Sequence, residues 1–146
     1  MFVATGFGIG LLPGAPGTYG SLLGVATWWL AFAQAPLAVQ LSSAALLIVA
    51  GTWLLHRLGA KRGIGDDPAI VLDEIAGMWL TLALLPPDVL VMAAGFLLFR
   101  LFDIVKPWPV SWADNRVPGG FGVMLDDIVA AVLAAIAVHV VMWHLG

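Results

Sequence analysis

The sequence predicts an all-α fold. It reads as a polytopic membrane helix bundle of about four to five apolar helices with a Gly/Pro-rich N-terminal loop, in one domain over residues 1–146. Three observations carry this. First, 62% of the residues are hydrophobic and 10% charged, against about 45–50% and about 25% in soluble domains. Second, uncharged apolar runs recur at lengths near the roughly 20 residues that a helix needs to span hydrocarbon. Third, the six Lys and Arg and nine Asp and Glu residues all lie beyond position 56, and several acids stand inside or beside apolar runs. Carboxylates are costly in hydrocarbon and there mark polar interiors or function.

Composition also excludes. With no cysteine, disulfides, thiolate metal sites and cysteine nucleophiles are ruled out. A net charge of -3 offers no basic footprint for nucleic acid. The start, Met1-Phe2-Val3-Ala4-Thr5, lacks the basic region of a cleaved signal peptide.

Along the chain, residues 1–18 are broken by Gly6, Gly8, Gly10, Pro13, Gly14, Pro16 and Gly17, which interrupt helical hydrogen bonding and favour bends. A first helix is expected from about Tyr19 to Gln34, and a second from Pro36 to about Leu55. Asp67-Pro68 reads as a helix start, Asp as N-cap and Pro at the first helical position. That third helix runs to Leu85 and stops at Pro86-Pro87. A fourth runs from Asp88 to Val105, and a polar loop follows from Lys106 to about Gly122. The last helix runs from Val123 to His144.

Loop cations orient these spans. Arg57, Lys61 and Arg62 follow the second run, and Arg100, Lys106 and Arg116 lie near the end of the fourth or after it. The positive-inside rule places both regions in the cytoplasm. Threading five spans from that anchor brings Asp73, Glu74, Arg100, Asp103, Asp126 and Asp127 to one cytoplasmic layer and leaves Asp88 on the other side. Interfacial anchoring explains Arg57, Lys61, Arg62 and Arg116. It explains the acids less well, because that rule does not favour them.

Asp73 and Glu74 are neighbours on a helix and point about 100° apart. Carboxylate oxygens suit Mg²⁺, which takes one or two protein carboxylates plus waters and phosphate; a buried ion pair with Arg100 is the competing account. Arg100, Asp103 and Lys106 follow an i, i+3, i+6 spacing and share a stripe if the helix persists. Such a stripe holds phosphate with its cations and a metal with its acid, or neutralises itself. Asp126 and Asp127 exceed what dipole compensation at a helix start requires. The N-terminal glycines, with Thr18 and Ser21 at the next helix start, suit an anion held by backbone amides. His56, His139 and His144 read as interface or packing residues.

Three blocks resemble the bacterial phosphatidylglycerophosphatase A family. They are Gly6-Phe7-Gly8-Ile9-Gly10 through Pro16-Gly17-Thr18-Tyr19-Gly20-Ser21; Val71-Leu72-Asp73-Glu74 with Gly77-Met78-Trp79; and Phe99-Arg100 through Asp103 and Lys106-Pro107-Trp108-Pro109 to Gly119-Gly120-Phe121-Gly122 and Asp126-Asp127. The resemblance implies Mg²⁺-dependent hydrolysis of phosphatidylglycerophosphate to phosphatidylglycerol and inorganic phosphate in the bacterial inner membrane. It implies acidic site positions at Asp73, Glu74, Asp103, Asp126 and Asp127 and basic ones at Arg100 and Lys106, without assigning individual roles. Residue chemistry suggests acids for the metal, Arg100, Lys106, Thr18 and Ser21 for the phosphate, and Asp127 or Glu74 to position or deprotonate water. The expected partners are the phospholipid substrate and the bilayer; the oligomeric state is left open. The rival reading is a small transporter or ion-coupled carrier subunit. Charge confined to one layer argues against it, because a translocation path needs polar groups at mid-depth.

Overall fold

The structure, a computed structural model, describes residues 1–59 and 70–146. Among these there are six α-helices and no strand. The helices are α1 (Pro16–Phe32), α2 (Leu37–Arg57), α3 (Leu72–Ala83), α4 (Val89–Val105), α5 (Val110–Arg116) and α6 (Gly119–Leu145), and a short 3-10 turn (Ile9–Leu11) precedes them. Lys61, Arg62 and the Asp66, Asp67, Pro68 helix start lie outside the described residues. The all-α bundle is as expected. Among the described residues α2 and α6 are long and apolar enough to cross a membrane. With 17 residues each, α1 and α4 stand at the short end of the roughly 17–25 residues that suffice.

α3 is the centre. It packs against α1, α2 and α6, and α6 in turn packs against α2, α4 and α5. Eight of its 12 residues are buried, and its two acids, Asp73 and Glu74, stand in its first turn. The core joins Trp28 of α1, Met78 and Leu82 of α3, Phe99 of α4, and Ala130, Ala131 and Ala134 of α6. The three alanines let the α6 backbone approach its neighbours closely, the usual device of helix packing in lipid. Outside, Leu30, Leu46, Leu90, Leu97 and Ile136 are all exposed. Water would not tolerate so continuous an apolar surface, whereas hydrocarbon does.

Several boundaries move. α1 begins at Pro16, not near Tyr19, because Pro16 takes the first helical position where its missing N–H costs nothing. α3 runs from Leu72 to Ala83 rather than from Pro68 to Leu85. Val71 is non-helical, and the carbonyl of Ala4 accepts from Val71 N at 2.9 Å and Leu72 N at 3.2 Å. The expected loop from Lys106 to Gly122 contains α5. α6 starts at Gly119, so Asp126 and Asp127 lie well inside it rather than in its first turn. The glycine run there is a packing surface. A Cβ on Gly120 would stand 2.6 Å from His56 N and 2.7 Å from Thr52 O, so only glycine lets the start of α6 lie on the end of α2. Asp88 caps α4, accepting from Leu90 N at 2.9 Å and Val91 N at 3.1 Å.

Candidate active site

The bundle gathers polar groups at one end. The starts of α1 and α3, the end of α4, α5 and the first turns of α6 meet there, while Asp88 caps the opposite end of α4. Asp73 and Glu74 come from the first turn of α3, which the N-terminal loop holds through Ala4. Gly77 sets the spacing one turn on. A Cβ at that position would meet the Phe99 ring at 2.8 Å and Asp127 Cβ at 3.2 Å. Its absence lets α4 and α6 both close onto α3 and delivers Asp127 beside Asp73.

Two carboxylate groups result, each with one oxygen per residue within 4.8 Å of the others: Asp73, Glu74 and Asp127, and Asp103, Asp126 and Asp127. Asp127 belongs to both. The five sequence-predicted acids therefore converge from α3, α4 and α6. Arg100 pairs with Asp103 on the same face of α4. Lys106 ends α4 in a left-handed backbone conformation, φ 51°, uncommon for a side-chain-bearing residue. From there its ammonium donates to Asp114 Oδ1 at 2.6 Å and Asp126 Oδ2 at 2.9 Å. The other Asp126 oxygen accepts from Asp127 N at 2.9 Å. Burial works against the Lys106 charge, but the hydrogen bonds to Asp114 and Asp126 outweigh it and hold the pKa above the ordinary lysine value.

Some polar atoms remain without a partner. Asp73 Oδ1, Glu74 Oε2 and Asp127 Oδ2 are buried acceptors with none among the described residues, and Arg100 Nε is a buried donor in the same condition. Orphaned polar atoms of this kind are rare and costly in proteins. Among the described residues two cations, Arg100 and Lys106, are paired with acids of this cluster. Three oxygen acceptors needing a cation, beside a guanidinium donor needing an acceptor, match a hard divalent ion next to an anion.

The expected phosphate-binding residues divide. Arg100 is in the site, and Lys106 joins it through Asp126. Thr18 follows Gly17 in the first turn of α1. Ser21 is fully buried and donates to Gly17 O at 2.8 Å, within its own helix. Of the N-terminal amides, those of Thr5, Gly6, Phe7 and Gly10 bond inside the loop. Away from the site, His139 contacts Leu84 O and His144 contacts Val140 O. Asp114 and Gly17 were not singled out from sequence. Asp114 carries no signal of its own in a polar loop. Gly17 read only as a chain breaker and part of a matched block, yet a Cβ there would lie 2.7 Å from Glu74 Oε1 and 2.9 Å from an Arg100 Nη. It is the point where the start of α1 closes on the site.

Comparison with known proteins identifies the family. Residues 2–142 match the family described as Phosphatidylglycerophosphatase A. A Phosphatidylglycerophosphatase A of Escherichia coli (strain K12) is 44% identical over 149 residues, covering 99% of this chain and 85% of the relative. One from Haemophilus influenzae is 37% identical, over 97% of this chain and 87% of the relative. A Putative phosphatidylinositol-3-phosphatase of Bacteroides thetaiotaomicron is 38% identical, over 100% of this chain and 95% of the relative. No solved structure matches the chain. With its family match over nearly the whole length and its acidic blocks converged on one end of the bundle, the chain belongs to the phosphatidylglycerophosphatase A family.

Proposed function

We propose that the chain hydrolyses the phosphomonoester of phosphatidylglycerophosphate, yielding phosphatidylglycerol and inorganic phosphate, at the cytoplasmic face of the bacterial inner membrane and with Mg²⁺. One observation carries this reading. The polar end of the bundle holds three carboxylate oxygens and Arg100 Nε that are buried with no partner among the described residues. A phosphate with its divalent ion satisfies both needs at once.

Asp73 and Asp127 are the residues that would hold the ion, in keeping with its preference for one or two protein carboxylates. The ion supplies charge neutralisation at the phosphate oxygens. Arg100 binds the phosphoryl group through its free Nε and stabilises the charge that develops on it. Glu74 lies between Arg100 and the start of α1 and orients the attacking water, accepting its proton. The water oxygen forms the new bond to phosphorus, the ester P–O bond breaks, and the leaving glycerol oxygen takes up a proton. Asp103 keeps Arg100 in place, and Asp126 with Asp114 keeps Lys106 in place.

The test is phosphate release from phosphatidylglycerophosphate in detergent micelles with Mg²⁺, compared with EDTA and with phosphatidylinositol 3-phosphate as substrate. Release that needs Mg²⁺ and favours phosphatidylglycerophosphate is expected. No release from either lipid would overturn the assignment. Undiminished release in EDTA would remove the ion but leave a lipid phosphatase. Faster release from the inositol lipid would move the substrate to the one named in the Bacteroides relative.

A further inference from the structure

We propose that the cleft between α1 and α4 seats an acyl chain of the lipid phosphomonoester, a reading that rests on the phosphatase assignment above. The two helices scarcely touch each other. They pack on α3 and α6 instead, and the opening left between them has a volume of about 510 Å³. Leu22, Val25 and Trp29 line one wall, and Val89, Met92 and Phe96 the other. Each trio is spaced i, i+3, i+7, so each is a single stripe of its helix.

Where those stripes lead decides the occupant. Four residues beyond Phe96 on the same face of α4 is Arg100. Four residues before Leu22 on α1 is Thr18, next to Gly17, which abuts Glu74 and Arg100. The apolar cleft therefore runs into the phosphate end of the site from the membrane side. A ligand with a hydrocarbon tail and a phosphate head fits that order of surfaces, and a water-soluble phosphate would leave the cleft unused. Two other cavities lack this continuity: one lies at the far end of α6 around His139 and Trp143, the other on α2 around Ser42 and Leu46.

The cleft extends about 10 Å along α4, from the helical rise between Val89 and Phe96. That is about a third of the hydrocarbon thickness, so the rest of the chain continues into the bilayer. Moving a tail from lipid into an equally apolar cleft gains little by transfer. Its value is positional: a held tail fixes the depth and approach of the phosphate, and misplacement of a reacting group is expensive in rate.

Ala26 and Ala93 also line the cleft and are exposed within it, so tryptophan there fills space without entering the core. The Ala26→Trp/Ala93→Trp double variant is to be compared with wild type on dioleoyl phosphatidylglycerophosphate and on its deacylated headgroup. We expect the lipid-to-headgroup ratio of kcat/KM to fall about tenfold. Val49→Trp, on the exposed face of α2, should leave the ratio as it is. An unchanged ratio in the double variant overturns the proposal. Photolabelling with phosphatidylglycerophosphate carrying a diazirine in its acyl chain gives a readout independent of turnover. Labelling should concentrate on α1 and α4 peptides and be displaced by unlabelled phosphatidylglycerophosphate but not by phosphatidylcholine. Uniform labelling of all outer helix faces sinks the cleft, whether or not lipid is hydrolysed. Seated, displaceable labelling on a protein that releases no phosphate would keep the cleft and refute the phosphatase reading alone.

Discussion

Asp73 with Glu74 and Asp103 with Asp126 are two acidic pairs that share Asp127, yet they differ in what already sits on them. Asp103 is held by Arg100, and Asp126 by Lys106 on one oxygen and a backbone N–H on the other. Among the described residues Asp73 and Glu74 have no cation in hydrogen-bonded contact, and each keeps a buried oxygen without a partner. A buried carboxylate that is neither paired nor hydrogen-bonded is unstable as an anion. On the function proposed above, Asp73 with Asp127 would meet the incoming ion and Glu74 the water, whereas Asp103 and Asp126 already hold Arg100 and Lys106.

The largest effect should come from the residue common to both. Asp127→Asn keeps the shape of the side chain and removes its charge. Phosphate release should fall by about 10²–10⁴-fold, and Mn²⁺ binding, followed by electron paramagnetic resonance as a stand-in for Mg²⁺, should be lost. An elution profile and helical content like wild type would show that the bundle still forms. Near-full activity in such a folded variant removes Asp127 from the site.

A sharper contrast lies between Asp73→Asn and Asp126→Asn. The first should weaken Mn²⁺ binding by at least about 10–100-fold, the range that even outer-shell changes produce at metal sites. The second should leave Mn²⁺ affinity within about twofold and lower turnover about tenfold, because it frees Lys106 rather than the ion. Equal loss of Mn²⁺ affinity in both variants would erase the distinction and make the cluster a single metal-binding unit.

How much of this was legible in the sequence follows from which interactions are local. The Gly/Pro breakers and the ends of α1, α2 and α4 depend on neighbouring residues and were readable to within a few positions. The Arg100–Asp103 pair was also visible, being one turn apart on one helix. That Asp127 would meet Asp73 was not, because it depends on α3 and α6 touching where Gly77 leaves no side chain. Glycine itself misled: Gly119 and Gly120 read as the end of the polar loop, but they open α6 against α2. α5 was missed because Pro107, Pro109 and Pro118 bracket it, and proline-rich flanks read as loop. The five acids were found because carboxylates in so apolar a chain need a reason wherever they fall.

The smallest expected effect concerns Lys106, the cation of the occupied pair. Its folded pKa stands above the ordinary 10.5, with burial opposing and Asp114 and Asp126 prevailing. A group with a raised folded pKa contributes stability that is fully present below its unfolded value and is lost only as pH rises through the folded one. Between pH 7 and 10 the ammonium thus stays charged, and its ion pairs add no slope to stability or activity. The ratio of wild-type to Lys106→Met turnover should accordingly stay constant within about twofold across that window. Asp114 is the more exposed partner, with 40% of its side chain accessible against 9% for Asp126. Exposed ion pairs contribute about 0–1 kcal/mol, so Asp114→Asn should shift the melting temperature little and leave Lys106 anchored to Asp126. A wild-type alkaline limb below pH 10 that vanishes in Lys106→Met would show a lysine released within the window. The α4–α6 acids would then be as unsatisfied as those of α3, and the contrast between the two pairs would not hold.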